Sequence, residues 1–186
     1  MTLKLPSFVR YLTLLFVSII AVCAPAQAQS NADLSQYTLG SGDVIKITVF
    51  GQEDLSVQTR LSNVGVINYP FLGDINLVGL TVNEVETTID TGLRGDYLVN
   101  PSVSVTVLEY RPFFIDGAVR RAGGYPYQPG LSVNKAAALA GGYTERASRE
   151  KIIIVRKIAG VETTIEAAAS DTILPGDIVT VQERFF

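Results

Sequence analysis

Histidine is absent from all 186 residues of the chain, and this absence excludes several classes of enzyme. Ser-His-Asp and Cys-His catalysis, HExxH zinc sites and histidine general bases each need at least one imidazole. Cysteine is nearly absent as well, since Cys23 is the single one. Because Cys23 lies within a predicted leader peptide, we expect a mature protein without disulfides, stabilised by a hydrophobic core or by subunit contacts.

The apolar run near the N-terminus is too short for a typical membrane span and has the features of a secretory signal. Lys4 and Arg10 form a positive n-region, the apolar sequence is YLTLLFVSIIAVC, and Ala26-Gln27-Ala28 is an A-x-A cleavage site. A run of about 13 residues falls short of the ~20 needed to cross hydrocarbon. We therefore expect residues 1–28 to be a signal peptide cleaved after Ala28, with a retained anchor as the alternative.

Cys23 raises a second alternative, which is lipid attachment. A lipoprotein signal has a small residue directly before the acylated cysteine, whereas Val22 is branched. This disfavours a lipoprotein, and cleavage after Ala28 would remove Cys23 together with the signal. The sequence leaves open whether Cys23 is ever lipidated.

A basic excess is also lacking. Removal of Lys4 and Arg10 with the signal leaves 13 Lys+Arg against 18 Asp+Glu, a net charge of −5 on the 158 residues of the expected mature chain. A nucleic-acid-binding protein usually carries a basic face that neutralises phosphates. The composition therefore argues against a nucleic-acid partner, and the length suits one ordinary domain or two small ones.

A Gly-Asp pair precedes a β-branched run near both ends of the chain, in LGSGDVIKITVF and in LPGDIVTVQE. In these pairs, Gly42-Asp43 and Gly176-Asp177, glycine can adopt the positive φ of a tight turn and aspartate can accept hydrogen bonds from backbone amides. A third pair, Gly73-Asp74, predicts another turn. We expect Asp43 and Asp177 to hold turns without touching substrate, and their replacement by alanine to cost about 0.5–2 kcal/mol, as lost side-chain caps do.

The first half of the mature chain predicts strands around one helix. Thr81 and Glu84 form a T-x-x-E capping box, and the apolar residues after Thr81 recur every three or four positions. The apolar positions of this helix are Val82, Val85, Ile89 and Leu93. Alternating or β-branched runs predict strands at 45–49, 57–61, 64–69, 75–78 and 103–107.

The second half predicts a sheet curled over one helix, as in a β-grasp. Ser132 as N-cap and Gly141-Gly142 as a stop bound a short Ala-rich helix at 133–140. Strands are predicted at 113–118, 151–156, 161–165 and 178–182, and an irregular loop at 120–130. We predict an α+β protein in which an N-terminal segment (29–36) precedes a small mixed-sheet module with one helix (37–110) and a β-grasp-like module (111–186).

Two motifs could suggest catalysis, and each has a simpler explanation. Ser132-Val133-Asn134-Lys135 matches the S-x-x-K of serine acyl-enzymes, but no K-T-G follows, and an N-cap serine with a solvent-facing lysine explains the pattern. Acidic pairs such as Glu53-Asp54 are adjacent rather than placed across a cleft, which favours solvated loop charges over glycosidase carboxylates. We therefore predict no catalytic residues, no cofactor and no metal site.

Five segments carry a resemblance to a known family. Three lie in the first module: YTLGSGDVIKITVFG, VINYPFLGDINLVGLTVNEVE and YLVNPSVSVTV. Two lie in the second: IDGAVRRAGGYPYQPGLSVNKAAALAGGYTERA and ILPGDIVTVQERFF. In this order they resemble the outer-membrane polysaccharide export family, the Wza-like proteins, with an export domain followed by one soluble-ligand-binding β-grasp (SLBB) domain. One departure is Ala122-Gly123, which stands where the family usually has Pro-Gly and loosens one turn.

The resemblance implies a non-enzymatic ring component of a capsule or exopolysaccharide export machine, exported to the periplasm and associated with the outer membrane. It implies a cyclic homo-oligomer, with the polysaccharide and an inner-membrane polysaccharide copolymerase as partners. Larger members add β-grasp domains and a C-terminal amphipathic helix that lines an outer-membrane pore. Since the sequence stops at Phe186, we expect a separate outer-membrane β-barrel as a further partner. The alternative is a monomeric periplasmic glycan-binding or adaptor module.

The loop at 120–130 contains the candidate contact residues. Tyr125 and Tyr127 could stack on sugar rings while Arg120 and Arg121 meet acidic groups on a passing glycan. We favour the alternative, in which the aromatic rings pack the loop against the sheet or a neighbouring subunit. We also expect the terminal Phe185-Phe186 pair to dock on the core or on a partner.

Overall fold

A computed structural model describes residues 36–158 and 160–184, all within one compact unit. The predicted signal peptide with Cys23 and its cleavage site after Ala28 lies outside the described residues, and so does the Phe185-Phe186 pair. The described part is an α+β protein with two separate hydrophobic cores. The predicted α+β class is therefore confirmed, although the strand pairs of the first module are antiparallel rather than mixed.

The first module is a small antiparallel sheet with a hairpin and one helix. Its elements are β1 (Val44–Val49), β2 (Gln52–Arg60), β3 (Val66–Tyr69), β4 (Gly73–Asn76), α1 (Val82–Leu93) and β5 (Val103–Glu109). The three-stranded sheet has the order β2-β1-β5, and β3 pairs with β4. Alternation in β1 buries Ile45, Ile47 and Val49 in the same hydrophobic cluster as Val85 and Ile89 of α1. This packing forms the first core.

The second module is a five-stranded sheet over one helix. Its elements are β6 (Phe113–Gly117), β7 (Gly123–Tyr125), α2 (Val133–Leu139), β8 (Ala147–Ile158), β9 (Val161–Ala167) and β10 (Ile178–Glu183). The strand order is β7-β6-β10-β8-β9, with β6 and β10 parallel and the other pairs antiparallel. Ala136 and Ala137 of α2 pack in the same core as Ile115, Ile154 and Val179 of the sheet. The arrangement is that of a β-grasp.

Both helices begin where the sequence predicts. The hydroxyl of Thr81 accepts from the Glu84 N–H at 3.3 Å, and the Glu84 carboxylate accepts from the Thr81 N–H at 2.7 Å, which completes the capping box of α1. Ser132 caps α2 by accepting from the Lys135 N–H. In the described part of the chain, no helix is both long and apolar enough to cross a membrane.

Three local predictions from the sequence are wrong. The segment 120–130 is not wholly irregular, because Gly123–Tyr125 pairs with Phe113–Ile115 as β7. Gly73 and Asp74 belong to β4, and the turn lies at 70–72. β2 begins at Gln52, which places Glu53 and Asp54 on a strand rather than in a loop. In each case, pairing with a neighbouring strand overrides a local preference for a turn or loop.

Candidate functional site

The two terminal Gly-Asp pairs form turns with the same hydrogen bonds. In the first, the Asp43 N–H donates to the Gly40 carbonyl at 3.2 Å and the Asp43 carboxylate accepts from the Gly40 N–H at 2.8 Å. In the second, Asp177 makes the same two bonds with Leu174, at 3.2 and 2.7 Å. The glycines that precede the aspartates have φ of +95° and +85°, values that favour glycine. The two Gly-Asp motifs therefore form the same turn geometry at two places in the chain.

The Asp43 carboxylate is fully buried and surrounded by donors. Besides the Gly40 N–H, it accepts from the Tyr37 hydroxyl and, at 2.7 Å, from the backbone N–H of Arg111. The Arg111 guanidinium lies 3.5 Å from the same carboxylate. Because a buried charge is tolerated only when it is paired and hydrogen-bonded, these contacts make Asp43 part of the architecture.

Arg111 joins the first turn to the second. Its Nε donates to the Pro175 carbonyl at 3.1 Å, while its backbone N–H and guanidinium serve Asp43. Two glycines leave space for the Arg111 side chain. A Cβ atom at Gly40 would lie 1.5 Å from Nη1 of Arg111, and a Cβ atom at Gly176 would lie 2.6 Å from its Nε. Arg111 thus connects the two modules through both Gly-Asp turns.

The second carboxylate has its own arginine. Arg156 on β8 donates to Asp177 through Nε at 2.9 Å and Nη2 at 2.7 Å, a two-pronged pairing that fixes both groups. Asp177 is 1% exposed at its side chain and Arg156 is 22% exposed. The turn at Gly176 is therefore fastened to the sheet of the second module as well as to Arg111.

The contact between the two modules, called here the junction, is formed by Asp43, Arg111 and the two Gly-Asp turns. A row of three tyrosines, Tyr37, Tyr110 and Tyr127, continues across it. The Tyr110 ring packs edge-to-face against Tyr37 with centroids 5.2 Å apart and against Tyr127 with centroids 5.5 Å apart. Burial and the hydrogen bond to Asp43 raise the pKa of Tyr37 far above its ordinary value. Burial also raises the pKa of Tyr110 and of Tyr127. The row keeps neutral rings between the two cores.

The candidate contact residues of the 120–130 loop separate into buried and exposed groups. Tyr127 is 5% exposed and belongs to the second core, so its ring is not available to a glycan. Tyr125 is half-buried, stacks on Phe113 with centroids 6.0 Å apart, and donates its hydroxyl to the Arg121 carbonyl at 2.7 Å. Arg120 and Arg121 are exposed, with Arg121 donating to the Leu139 carbonyl at 3.3 Å.

The remaining candidates lie apart from the junction. Asp74 is exposed and accepts from the Asn68 amide at 2.8 Å. Lys135 donates its Nζ to the Gly130 carbonyl at 3.0 Å, and the Ser132 hydroxyl accepts from the Lys135 backbone. The structure thus gives the S-x-x-K pair the roles of a helix cap and a loop contact.

The described residues form no carboxylate cluster, but they do form an open groove. Within 36–158 and 160–184, no three Asp or Glu side chains gather as metal ligands would. An open groove of about 520 Å³ lies beside β8 and is lined by Ser148, Arg149, Glu150, Lys151 and Arg184. Its Arg149 lies over the Tyr143 ring at 5.4 Å, and its Arg184 donates to the Ala147 carbonyl at 2.9 Å. These arginines are engaged within the chain.

Sequence reasoning missed Arg111 as the residue that joins the modules. Its partners Asp43 and Pro175 are 68 and 64 positions away, and no local pattern signals such a contact. The sequence offered only an indirect signal. Each turn has a glycine, Gly40 or Gly176, at a position where a side chain would collide with Arg111.

These features define a class of protein in which a small α+β module is joined through buried ion pairs to one β-grasp. Residues 31–108 match the sequence profile of the polysaccharide biosynthesis/export protein family, and residues 112–166 match that of the SLBB domain. The chain therefore carries a polysaccharide biosynthesis/export module followed by one SLBB domain. The resemblance seen in the sequence is thereby confirmed.

Curated relatives give the same family context. The exopolysaccharide production protein ExoF of Rhizobium meliloti is 31% identical over 129 residues, which cover 63% of this chain and 31% of ExoF. The EPS I polysaccharide export outer membrane protein EpsA of Ralstonia nicotianae is 27% identical over 117 residues, covering 50% of this chain and 30% of EpsA. The chain therefore spans about a third of the length of these relatives.

Proposed function

We propose that this protein is a non-catalytic, ring-forming component of an exopolysaccharide export machine in the cell envelope. The observation that carries the proposal is the ordered match to an export module and an SLBB domain, at 31–108 and 112–166. Names of relatives support it, since one is a production protein for exopolysaccharide and another an outer membrane export protein. Export through a ring needs a lumen and subunit contacts rather than a nucleophile.

A partly apolar sheet face opposite the helix supports the oligomer. The helix covers one face of the second sheet, and the opposite face carries Phe114 and Ile178, which pair across β6 and β10 and are 48% and 41% exposed. Val155 and Ile153 on β8 pair with Ile178 and Thr180 and extend this face. Apolar side chains that share one uncovered face are typical of a protein contact. We assign this face, called here the outer sheet face, to a second copy of the chain.

The ring would work between two membranes. We propose an inner-membrane polysaccharide copolymerase as the partner that delivers the polymer and an outer-membrane channel protein as the partner that receives it. The location is the periplasm in contact with the outer membrane, which agrees with the outer membrane named for EpsA. Heterologous contacts between identical subunits would close the ring.

Deletion of the gene tests the export role. We expect polysaccharide to disappear from the medium of the deletion strain, while sugar polymer is retained by the cells, and a plasmid copy of the gene to restore secretion. Unchanged secretion by the deletion strain would refute the role.

Replacement of Ser132 by alanine tests the absence of catalysis. The variant loses the α2 cap but keeps all contacts of the junction, so we expect secretion to be restored as by the unaltered gene. Stability should fall by about 1 kcal/mol. If a well-folded Ser132→Ala protein secretes nothing, Ser132 is catalytic and the protein is an enzyme.

A further inference from the structure

An exposed aromatic pair lies in the first module. Phe71 lies in the turn between β3 and β4, and Tyr97 follows α1; their rings stack with centroids 4.8 Å apart at an interplanar angle of 28°. The two side chains are 64% and 47% exposed. We refer to Phe71 and Tyr97 as the aromatic platform. Both side chains lie outside the two hydrophobic cores.

The platform is held in place at a conformational cost. Phe71 has φ of +65°, and among the described residues no other non-glycine has a positive φ. Such backbone is strained for a bulky side chain, and strain of this kind concentrates at functional sites. The next residue, Leu72, packs closely on Gly92 of α1. A Cβ atom added at Gly92 would lie 2.9 Å from the Leu72 side chain. The Tyr97 hydroxyl also contacts the Phe71 carbonyl at 3.4 Å.

Polar residues lie close to Phe71 and Tyr97 along the chain and on the β3–β4 hairpin. Asn68 and Asp74 are joined by a 2.8 Å hydrogen bond one residue pair from the turn, and both are exposed. Asp96 precedes Tyr97 and is exposed as well. An aromatic face suits the C–H face of a pyranose ring, and amide and carboxylate groups beside it suit the hydroxyls at the edge of the sugar.

Size and charge disfavour other occupants. A stable protein interface buries about 800 Å² per partner, whereas the two aromatic side chains together offer at most about 300–500 Å² even when fully covered. The platform therefore suits one or two sugar rings better than a second copy. Asp74 and Asp96 would repel an anionic lipid surface, and they disfavour an acidic glycan for the same reason.

We propose that Phe71 and Tyr97 form a stacking site for neutral pyranose units of the exported polymer. The proposal rests on the proposed export function and gives it a substrate class. One exposed platform on each copy of the chain would place several weak sugar contacts around the ring. Weak contacts in series would guide a polymer without arresting it.

Binding of neutral hexasaccharides to the purified protein tests the proposal. Cellohexaose, maltohexaose and mannohexaose serve as probes, and NMR follows the ring signals of Phe71 and Tyr97. At least one probe should shift both signals, and Phe71→Gly and Tyr97→Ala should each weaken its binding about tenfold. The matched control is Phe50→Ala, which removes a ring that is 85% exposed and should leave binding unchanged. The melting temperature of Phe71→Gly should stay level or rise, since glycine relieves the positive φ.

Several results would overturn the proposal. These are no shift of either ring with any probe, or equal loss of binding in Phe50→Ala. A lower melting temperature of Phe71→Gly with unchanged binding would assign Phe71 to packing. Loss of oligomer mass in Phe71→Gly would assign the platform to a second copy, and sedimentation of the unaltered protein alone with phosphatidylglycerol vesicles would assign it to lipid. Unchanged secretion by the deletion strain would instead refute the export role, so the two failures are distinguishable.

Discussion

At the scale of single residues, two buried aspartates, Asp43 and Asp177, hold the turns that stabilise the two modules. The sequence correctly indicates Gly-Asp turns at Asp43 and Asp177, but it treats each carboxylate as a local cap. The structure adds an arginine to each, Arg111 at 3.5 Å and Arg156 at 2.7 Å. Removing one partner of a buried pair leaves the other uncompensated, which costs far more than losing a cap.

Asp43→Ala and Asp177→Ala should therefore each lower the free energy of unfolding by about 3–5 kcal/mol, above the 0.5–2 kcal/mol expected from the sequence. Urea unfolding measures this change, and Asp43→Asn keeps the shape if the alanine variant does not fold. Asp74→Ala is the matched control, because Asp74 is exposed on a strand and its loss should change stability by less than about 0.5 kcal/mol. Equal effects at Asp43 and Asp74 would refute the buried pairing.

Tyr37 should make the protein sensitive to alkali. Its pKa is raised in the folded state by burial and by Asp43, so the unfolded state loses this proton first. Its stabilisation is complete below the unfolded pKa of about 10 and falls above it, by about 1.4 kcal/mol per pH unit. Urea unfolding from about pH 9 to 11.5 should show a shallower decline for Tyr37→Phe. An identical decline in both proteins would contradict the raised pKa.

At the scale of elements, sequence patterns predict most of what is observed. Both helices begin at their predicted caps, and the predicted strands are present with altered bounds. Several are longer, the strand predicted at 64–69 is shorter, and the strand predicted at 75–78 lies at Gly73–Asn76. What the patterns miss is decided by distant partners: β7 exists because Gly123–Tyr125 pairs with Phe113–Ile115. The sites follow the same rule, since the Gly-Asp turns are visible in the sequence while Arg111 and the Phe71–Tyr97 stack depend on contacts far along the chain.

The capping box of α1 should stabilise the folded protein in a way that is lost in acid. The backbone N–H and hydroxyl of Thr81 lower the pKa of Glu84. The stabilisation is therefore present above the unfolded pKa of about 4.3 and is lost as pH falls through the lower, folded value. Glu84→Gln keeps a capping side chain without a charge, so it should be less stable than the unaltered protein at neutral pH and equal to it in acid. A difference that persists in acid would exclude titration of Glu84 as the cause.

At the scale of the whole molecule, the junction and the outer sheet face have different tasks. Arg111 fixes one module to the other within a chain, and we propose that Phe114 and Ile178 join one chain to the next. A ring needs both, because a flexible joint inside each subunit would prevent identical contacts from closing.

The molar mass of the purified protein by light scattering tests the ring most directly. We predict a mass several times that of one subunit. The mass should fall to that of a single chain in Phe114→Asp, which places a charge on the outer sheet face. Phe50→Asp, at an exposed site away from that face, should keep the multiple. A single-chain mass for the unaltered protein at every concentration, with or without the copolymerase, would contradict the ring and favour a monomeric adaptor.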